Sequence, residues 1–311
     1  MNLPKYYYYV KPLIPRRLQV ALRSILATRK LEACRDSWPV DSRTGDAPLG
    51  WPGWPDQRGF AFVLTHDVDT FRGHERCRQL AQLEEGLGFR SSFNFVAAQY
   101  PVSRELLEEL RSGGFEVGVH GLVHDHSLYE SLPAFLAQAQ RINGYLRDWQ
   151  SVGFRSPCMY HNLEWLQHLD IEYDASTFDH DPFEPQSDGM GTIFPFWVEG
   201  SGGRRGYVEL PYTLPQDFTV FVLLKERGID LWKKKIDWIA ERGGMALINT
   251  HPDYMCFNGA TPGFQEYHAQ LYAELLDYVK TRYQGAYWQP LPREMARFWE
   301  GNFKGSAPVA A

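Results

Sequence analysis

Five stretches of this chain end in side chains that bind metals or move protons. Phe60-Ala61-Phe62-Val63-Leu64-Thr65-His66-Asp67-Val68-Asp69 is an apolar run closing in one imidazole and two carboxylates. Phe115 to Val119 leads into His120, with His124 and His126 beyond it, and Val152-Gly153-Phe154 leads into Arg155-Ser156-Pro157. Ile171-Glu172-Tyr173 leads into Asp174, and Met245 to Thr250 into His251. His120 and His124 stand four apart, a spacing that can bring two imidazoles to one ion in a helical turn or tight loop. An aspartate completes a three-ligand set with a position left for water. Asp69 is the candidate third ligand. The competing reading, that each histidine caps or packs locally, loses weight once Asp67 and Asp69 stand at a second strand end. His126 reads as a surface residue or a support for a ligand rather than a ligand.

These side chains need elements that bring them together. Apolar runs of this kind read as buried parallel strands, and parallel strands alternating with helices present their carboxyl ends on one face. Helices are expected from His74 to Leu87, from Ser103 to Ser112, from Pro133 to Trp149, around Leu163 to Leu169, from Ile229 to Glu241 and from Pro262 to Tyr283. Ser92 to Val96 and Tyr207 to Leu210 are expected to be further strands. The stretch from Asp179 to Arg205, rich in proline and glycine, reads as a long irregular segment at the mouth of the site. The expected organisation is an N-terminal extension (1–57), one α/β barrel domain (58–300) and a disordered tail (301–311).

Within the extension, Pro15 to Lys30 is a basic amphipathic segment with Leu18, Leu22, Ile25 and Leu26 on one face. Two readings follow: a helix packed on the barrel or a partner subunit, or a peripheral contact with an anionic membrane. Tyr6 to Tyr9 precede it.

The formal net charge of -6, with no basic stripe in the main body, argues against nucleic acid as a partner. Four separated cysteines form no C-x-x-C pair, which argues against a zinc ribbon or a disulfide framework and favours a reducing compartment. No stretch approaches the length of a spanning helix, and the N-terminus has no signal-peptide pattern, so the expectation is a cytoplasmic protein. Ten Trp and seventeen Tyr are mostly core, with some available to stack on sugar rings.

Thr65-His66-Asp67-Val68-Asp69, His120-Gly121-Leu122-Val123-His124, Arg155-Ser156-Pro157 and the strand ending in His251 together resemble the ordered motifs of the polysaccharide deacetylases, the NodB-homology carbohydrate esterases. The resemblance covers roughly residues 58 to 256; each motif is weak alone, and their order is specific. It implies a distorted (β/α) barrel of seven or eight units and metal-dependent removal of an N-acetyl group from an amino sugar or polysaccharide precursor. The ion would be divalent, zinc first, with cobalt, nickel or manganese as alternatives. By resemblance Asp67 is the general base, Asp69, His120 and His124 hold the metal, Arg155 orients the base, His251 is the general acid and Asp174 tunes it. Two departures stand out: Val68 separates carboxylates that are adjacent in the commoner pattern, leaving both Asp67 and Asp69 open as metal ligands, and Gly121 stands where a hydroxyl residue is common. A period-two strand end would still point both aspartates to one side. The alternatives are an amidohydrolase of the same fold acting on a non-sugar amide or cyclic imide, a D-x-D glycosyltransferase, and a non-catalytic carbohydrate-binding protein.

Overall fold

The computed structural model describes residues 15–186 and 188–303, so the Tyr6 to Tyr9 run and residues 304–311 of the expected tail lie outside the described residues. Nine strands form one curled sheet: β1 (Phe60–Val68), β2 (Ser92–Phe95), β3 (Glu116–Val119), β4 (Gly153–Phe154), β5 (Tyr173–Asp174), β6 (Phe196–Val198), β7 (Tyr207–Glu209), β8 (Met245–Thr250) and, after a separate small ribbon of β9 (Met255–Cys256) and β10 (Tyr267–His268), β11 (Tyr287–Trp288). All neighbours pair in parallel except β6, which runs antiparallel to β7.

β1 is the axis of the sheet. One of its edges pairs with β8, and the other pairs first with β11 and then with β2. All nine of its residues are buried, as a strand covered on both faces requires. From β2 the sheet continues through β3, β4, β5 and β7. Beyond β7 the chain curls back to β8, where the Thr213 and Leu214 amides both donate to the Leu247 carbonyl at 3.0 and 3.1 Å. The result is the distorted α/β barrel that the alternation of strands and helices implied.

The helices that cover it are α1 (Arg16–Cys34), α2 (Phe71–Leu87), α3 (Arg104–Ser112), α4 (Leu132–Asp148), α5 (Leu163–Leu166), α6 (Asp230–Arg242), α7 (Ala269–Arg282) and α8 (Pro292–Phe303). Their limits follow local chemistry. Ser103 and Ser131 accept hydrogen bonds from Leu106 and Ala134 at the starts of α3 and α4. Gly88 and Gly243 close α2 and α6 at φ of 87° and 73°, a left-handed turn that favours glycine.

Four elements differ from expectation. The helix expected from Pro262 begins only at Ala269, because Tyr267 pairs with Met255 in the small ribbon. The irregular segment after Asp179 contains β6, and a π-helical turn at Phe218–Leu223 had no periodic signal. The last helix runs to Phe303, three residues into the expected tail.

At the barrel end away from the site, Trp51 and Trp54, just before β1, pack on each other at 4.5 Å and on Phe194, Phe298 and Trp299 with centroid separations of 5.4 to 6.4 Å. The Trp54 indole N–H donates to the Gly243 carbonyl at 2.8 Å. This aromatic cluster fastens the segment preceding β1 to α8. Trp299 is 1% exposed, and we expect Trp299→Ala to cost about 3–5 kcal/mol, read as a lower urea midpoint with a conserved slope.

Candidate metal centre and active site

Alternation along β1 sorts its polar residues. His66 points outward, where its Nδ1 meets Thr250 Oγ1 at 2.7 Å and its Nε2 meets Glu84 Oε1 of α2 at 2.8 Å. Asp67 and Asp69 both line the cavity at the barrel mouth, despite the intervening Val68.

Asp69 Oδ1 lies 3.4 Å from His120 Nε2 and 3.3 Å from His124 Nε2, and one donor atom from each of the three residues fits within 4.8 Å of the others. His120 Nδ1 lies 2.9 Å from the Arg155 carbonyl, which can only accept. That bond fixes a proton on Nδ1 and leaves Nε2 facing Asp69 as the atom that would give its lone pair to a cation. Asp69 Oδ1 and His120 Nε2 are buried, yet neither makes a hydrogen bond. A buried carboxylate oxygen and a buried imidazole nitrogen facing each other without a hydrogen bond suit a shared cation, which would take the place of the imidazole proton. His124 is held from behind, since its amide donates to Gln99 Oε1 at 2.7 Å while Gln99 Nε2 donates to the Asp69 carbonyl at 3.2 Å. Asp253 steadies the same turn by accepting from the amides of Asp69 and Thr70, each at 3.0 Å.

Asp67 sits between two carboxamides: Asn94 Nδ2 donates to its Oδ1 at 3.1 Å and Asn249 Nδ2 to its Oδ2 at 2.7 Å. Arg155, fully buried, places Nε 3.5 Å from Oδ1 and donates from Nη2 to Thr65 Oγ1 at 3.0 Å. Burial alone would raise the Asp67 carboxyl, but the positive charges of His120, Arg155 and His251 outweigh it and hold the group below the usual range. Gly118 is required here, because a Cβ on it would collide with the carboxamide oxygen of Asn94.

His251 lines the same cavity, with its Nδ1 2.7 Å from Asp217 Oδ1. Asp217 Oδ2 also accepts from the His251 amide at 2.8 Å and from the Tyr267 hydroxyl at 3.0 Å. Burial would lower the His251 imidazolium, but Asp217 reverses this and, with Asp69 and Asp67, raises its pKa to about 10.

The expected partner of His251, Asp174, is elsewhere. It stands opposite Glu209 on the β5–β7 ladder and accepts from the Ser176 amide and hydroxyl at 2.9 and 2.7 Å. Burial pushes both the Asp174 and Glu209 carboxyls up. The strand-end position of Asp174 was a poor guide, because its side chain belongs to this buried acid pair. Asp217 lacked an apolar run before it; it starts the π-helical turn, and only the return of β8 beside that turn brings it to His251. Asn94 carried a weak signal as the polar residue inside an apolar strand. His126 lies at the surface, 3.8 Å from Glu130 and away from the three donors. Gly121 has φ of +67°, and a Cβ there would collide with Pro157, so a hydroxyl side chain has no room at that position.

The cavity holding these groups measures about 360 Å³. Phe183, Glu184 and Pro185 of the irregular segment form part of its wall, as do Cys158 and Tyr254. We expect Asp69→Asn and His124→Ala each to weaken zinc binding by more than about 100-fold in calorimetric titration, and Asp174→Asn to leave it unchanged.

No protein-family model matches the sequence, and no curated protein matches it. Solved structures do. A protein described as a polysaccharide deacetylase from Mycobacterium smegmatis superposes with a TM-score of 0.62 at 17% identity, over 85% of this chain and 99% of the other. PuuE allantoinase gives 0.62 at 12% identity, over 82% and 95%. A protein described as a polysaccharide deacetylase from Pseudomonas aeruginosa PAO1 gives 0.58 at 14% identity, over 80% and 93%. At these identities the likeness is one of fold, and the fold of this chain is that of the polysaccharide deacetylases, as its four ordered motifs implied.

Proposed function

We propose that the protein is a metal-dependent hydrolase that removes an N-acetyl group from an amino sugar or a polysaccharide precursor. The observation that carries this reading is the shared cavity: the Asp69, His120 and His124 donors converge there, together with Asp67 and with His251, which Asp217 backs from behind.

Asp69, His120 and His124 would hold a divalent ion, zinc first among the candidates, which when bound supplies Lewis acidity toward an amide carbonyl and toward water. Asp67, kept charged by Arg155 and aimed by Asn94 and Asn249, takes a proton from the attacking water. His251 enters the reaction protonated, because Asp217 stabilises its imidazolium, and it delivers that proton to the departing nitrogen. The delivery is needed because an amide nitrogen leaves poorly as an anion. Arg155 acts through Asp67 as a positioning residue.

A second reading draws on the superposition with PuuE allantoinase, whose TM-score of 0.62 is the same as that of the Mycobacterium smegmatis protein: the same groups would suit a cyclic or non-sugar amide. Among the described residues no helix is long and apolar enough to cross a membrane.

Acetate release from a panel of N-acetylated sugars, with allantoin and a hydantoin hydrolysed in parallel and a chelator control throughout, separates the two readings. We expect chelation to abolish turnover and Asp67→Asn to lower kcat by roughly 10²–10⁴-fold while zinc still binds. Asp217→Asn removes the charge that raises the His251 pKa. The imidazolium then loses its proton at lower pH, so the alkaline limb of the kcat/KM profile should move toward neutrality; an unmoved limb would count against His251 as the acid.

A further inference from the structure

The basic segment near the N-terminus does pack on the barrel, but with the face opposite to its apolar stripe. Val20, Ser24 and Ala27 of α1 are buried, and the Ser24 hydroxyl donates to the Leu223 carbonyl of the π-helical turn at 2.5 Å. Leu18, Leu22 and Ile25 point to solvent, at 52%, 43% and 53% exposed. The packed face also carries Arg16 and Arg23, seven residues apart, and both line the cavity that holds Asp67, Asp69, His120, His124 and His251.

From the geometry we propose that α1 is a substrate-binding element, in which Arg16 and Arg23 recognise a phosphate ester attached to the sugar whose amide is cleaved. This deepens the deacetylase reading and rests on it for the identity of the sugar.

Three observations support the assignment. The Arg23 guanidinium lies 4.9 Å over the Phe218 ring, Phe218 meets Tyr254 at 5.0 Å, and Tyr254 meets His251 at 5.1 Å, so one arginine is joined to the proposed acid by a continuous wall. Arg16 also borders an adjoining hollow, shared with Asp69, His124 and Arg72, that extends the mouth sideways, where Gln265 Oε1 accepts from Arg16 Nε at 3.4 Å. Finally, α1 has only basic charge from Arg16 to Leu31, against a mouth otherwise rich in carboxylates. Glu184 lines the same cavity; burial pushes its carboxyl up, and its Oε1 accepts from Tyr212 and Gln216, each at 2.6 Å.

Arg16 and Arg23 stand about 10 Å apart along the axis, within reach of one anion for two side chains of this length, and together they offer more N–H donors than the two oxygens of a carboxylate can use but not more than a phosphate ester or diphosphate can accept. A soluble sugar phosphate and a lipid-linked one offer the same anion, and the exposed Leu18, Leu22 and Ile25 beside it make the lipid source worth separating.

The test uses the full chain without metal, so that phosphate cannot be drawn to the ion. Calorimetry compares N-acetylglucosamine 1-phosphate with the methyl glycoside of the same sugar. We expect the phosphate to bind at least about 10-fold more tightly, the size of a charge-assisted contact. Arg16→Gln/Arg23→Gln should abolish that preference with Tm and zinc affinity retained, while Arg17→Gln/Arg29→Gln, the same charge change away from the cavity, should keep it. Equal affinity for the two sugars, or a preference that survives Arg16→Gln/Arg23→Gln, overturns the proposal. Failure of the metal-loaded enzyme to release acetate from any sugar counts against the deacetylase reading instead, and leaves the binding comparison to decide the role of the arginines. A polyprenyl-linked form of the sugar phosphate in micelles then assigns the source: weaker binding of that form alone in Leu22→Ser/Ile25→Ser indicates lipid, and unchanged binding indicates a soluble phosphate.

Discussion

Two carboxylates buried at the end of one strand are the constraint around which this molecule is built. Charge out of water is costly unless paired, and Asp67 and Asp69 are 2% and 6% exposed. Everything positive or hydrogen-bonding nearby is placed to meet that cost. Arg155, Asn94 and Asn249 converge on Asp67, while the imidazoles of His120 and His124 converge on Asp69. The same concentration of negative charge that draws protons onto these imidazoles would draw a divalent cation. The site is thus an answer to an electrostatic demand set by β1.

The demand is met from both faces of that strand. Inside the barrel lie the groups that suit chemistry, and outside it His66 is locked between Thr250 and Glu84, with Glu84 in turn bonded to Ser91 and Tyr272. This buried polar network ties β1 to β8, α2 and α7. It fixes the twist and depth at which Asp67 and Asp69 emerge, since a strand that slid or rotated would break it. The proposed chemistry therefore leans on residues that never face the cavity.

The mouth is built from two parts of low regularity, the turn after Asp179 and the π-helical turn at Phe218–Leu223, with the helix α1 laid across them. Such segments carry less internal constraint than the strands beneath, which suits them to setting substrate preference while the strands hold the reacting groups. An amphipathic helix that turns its apolar stripe outward and two of its arginines toward the cavity shows how far packing can depart from what hydrophobic pattern alone suggests.

Alternating apolar runs, glycine stops and serine caps determined the strand–helix order, and the polar residues closing each run located Asp67, Asp69, His120, His124, Arg155 and His251 at one end of the barrel. That much is legible because a parallel strand needs a continuous apolar run and because period-two geometry is local. What tertiary structure alone decided was pairing between groups distant in the chain. Asp217 rather than Asp174 meets His251, Asn94 and Asn249 flank Asp67 from two different strands, and α1 presents Arg16 and Arg23 instead of its leucines. None of these leaves a periodic trace, because each depends on which turn the curl of the sheet brings beside which strand end, and that is settled by the packing of the whole barrel.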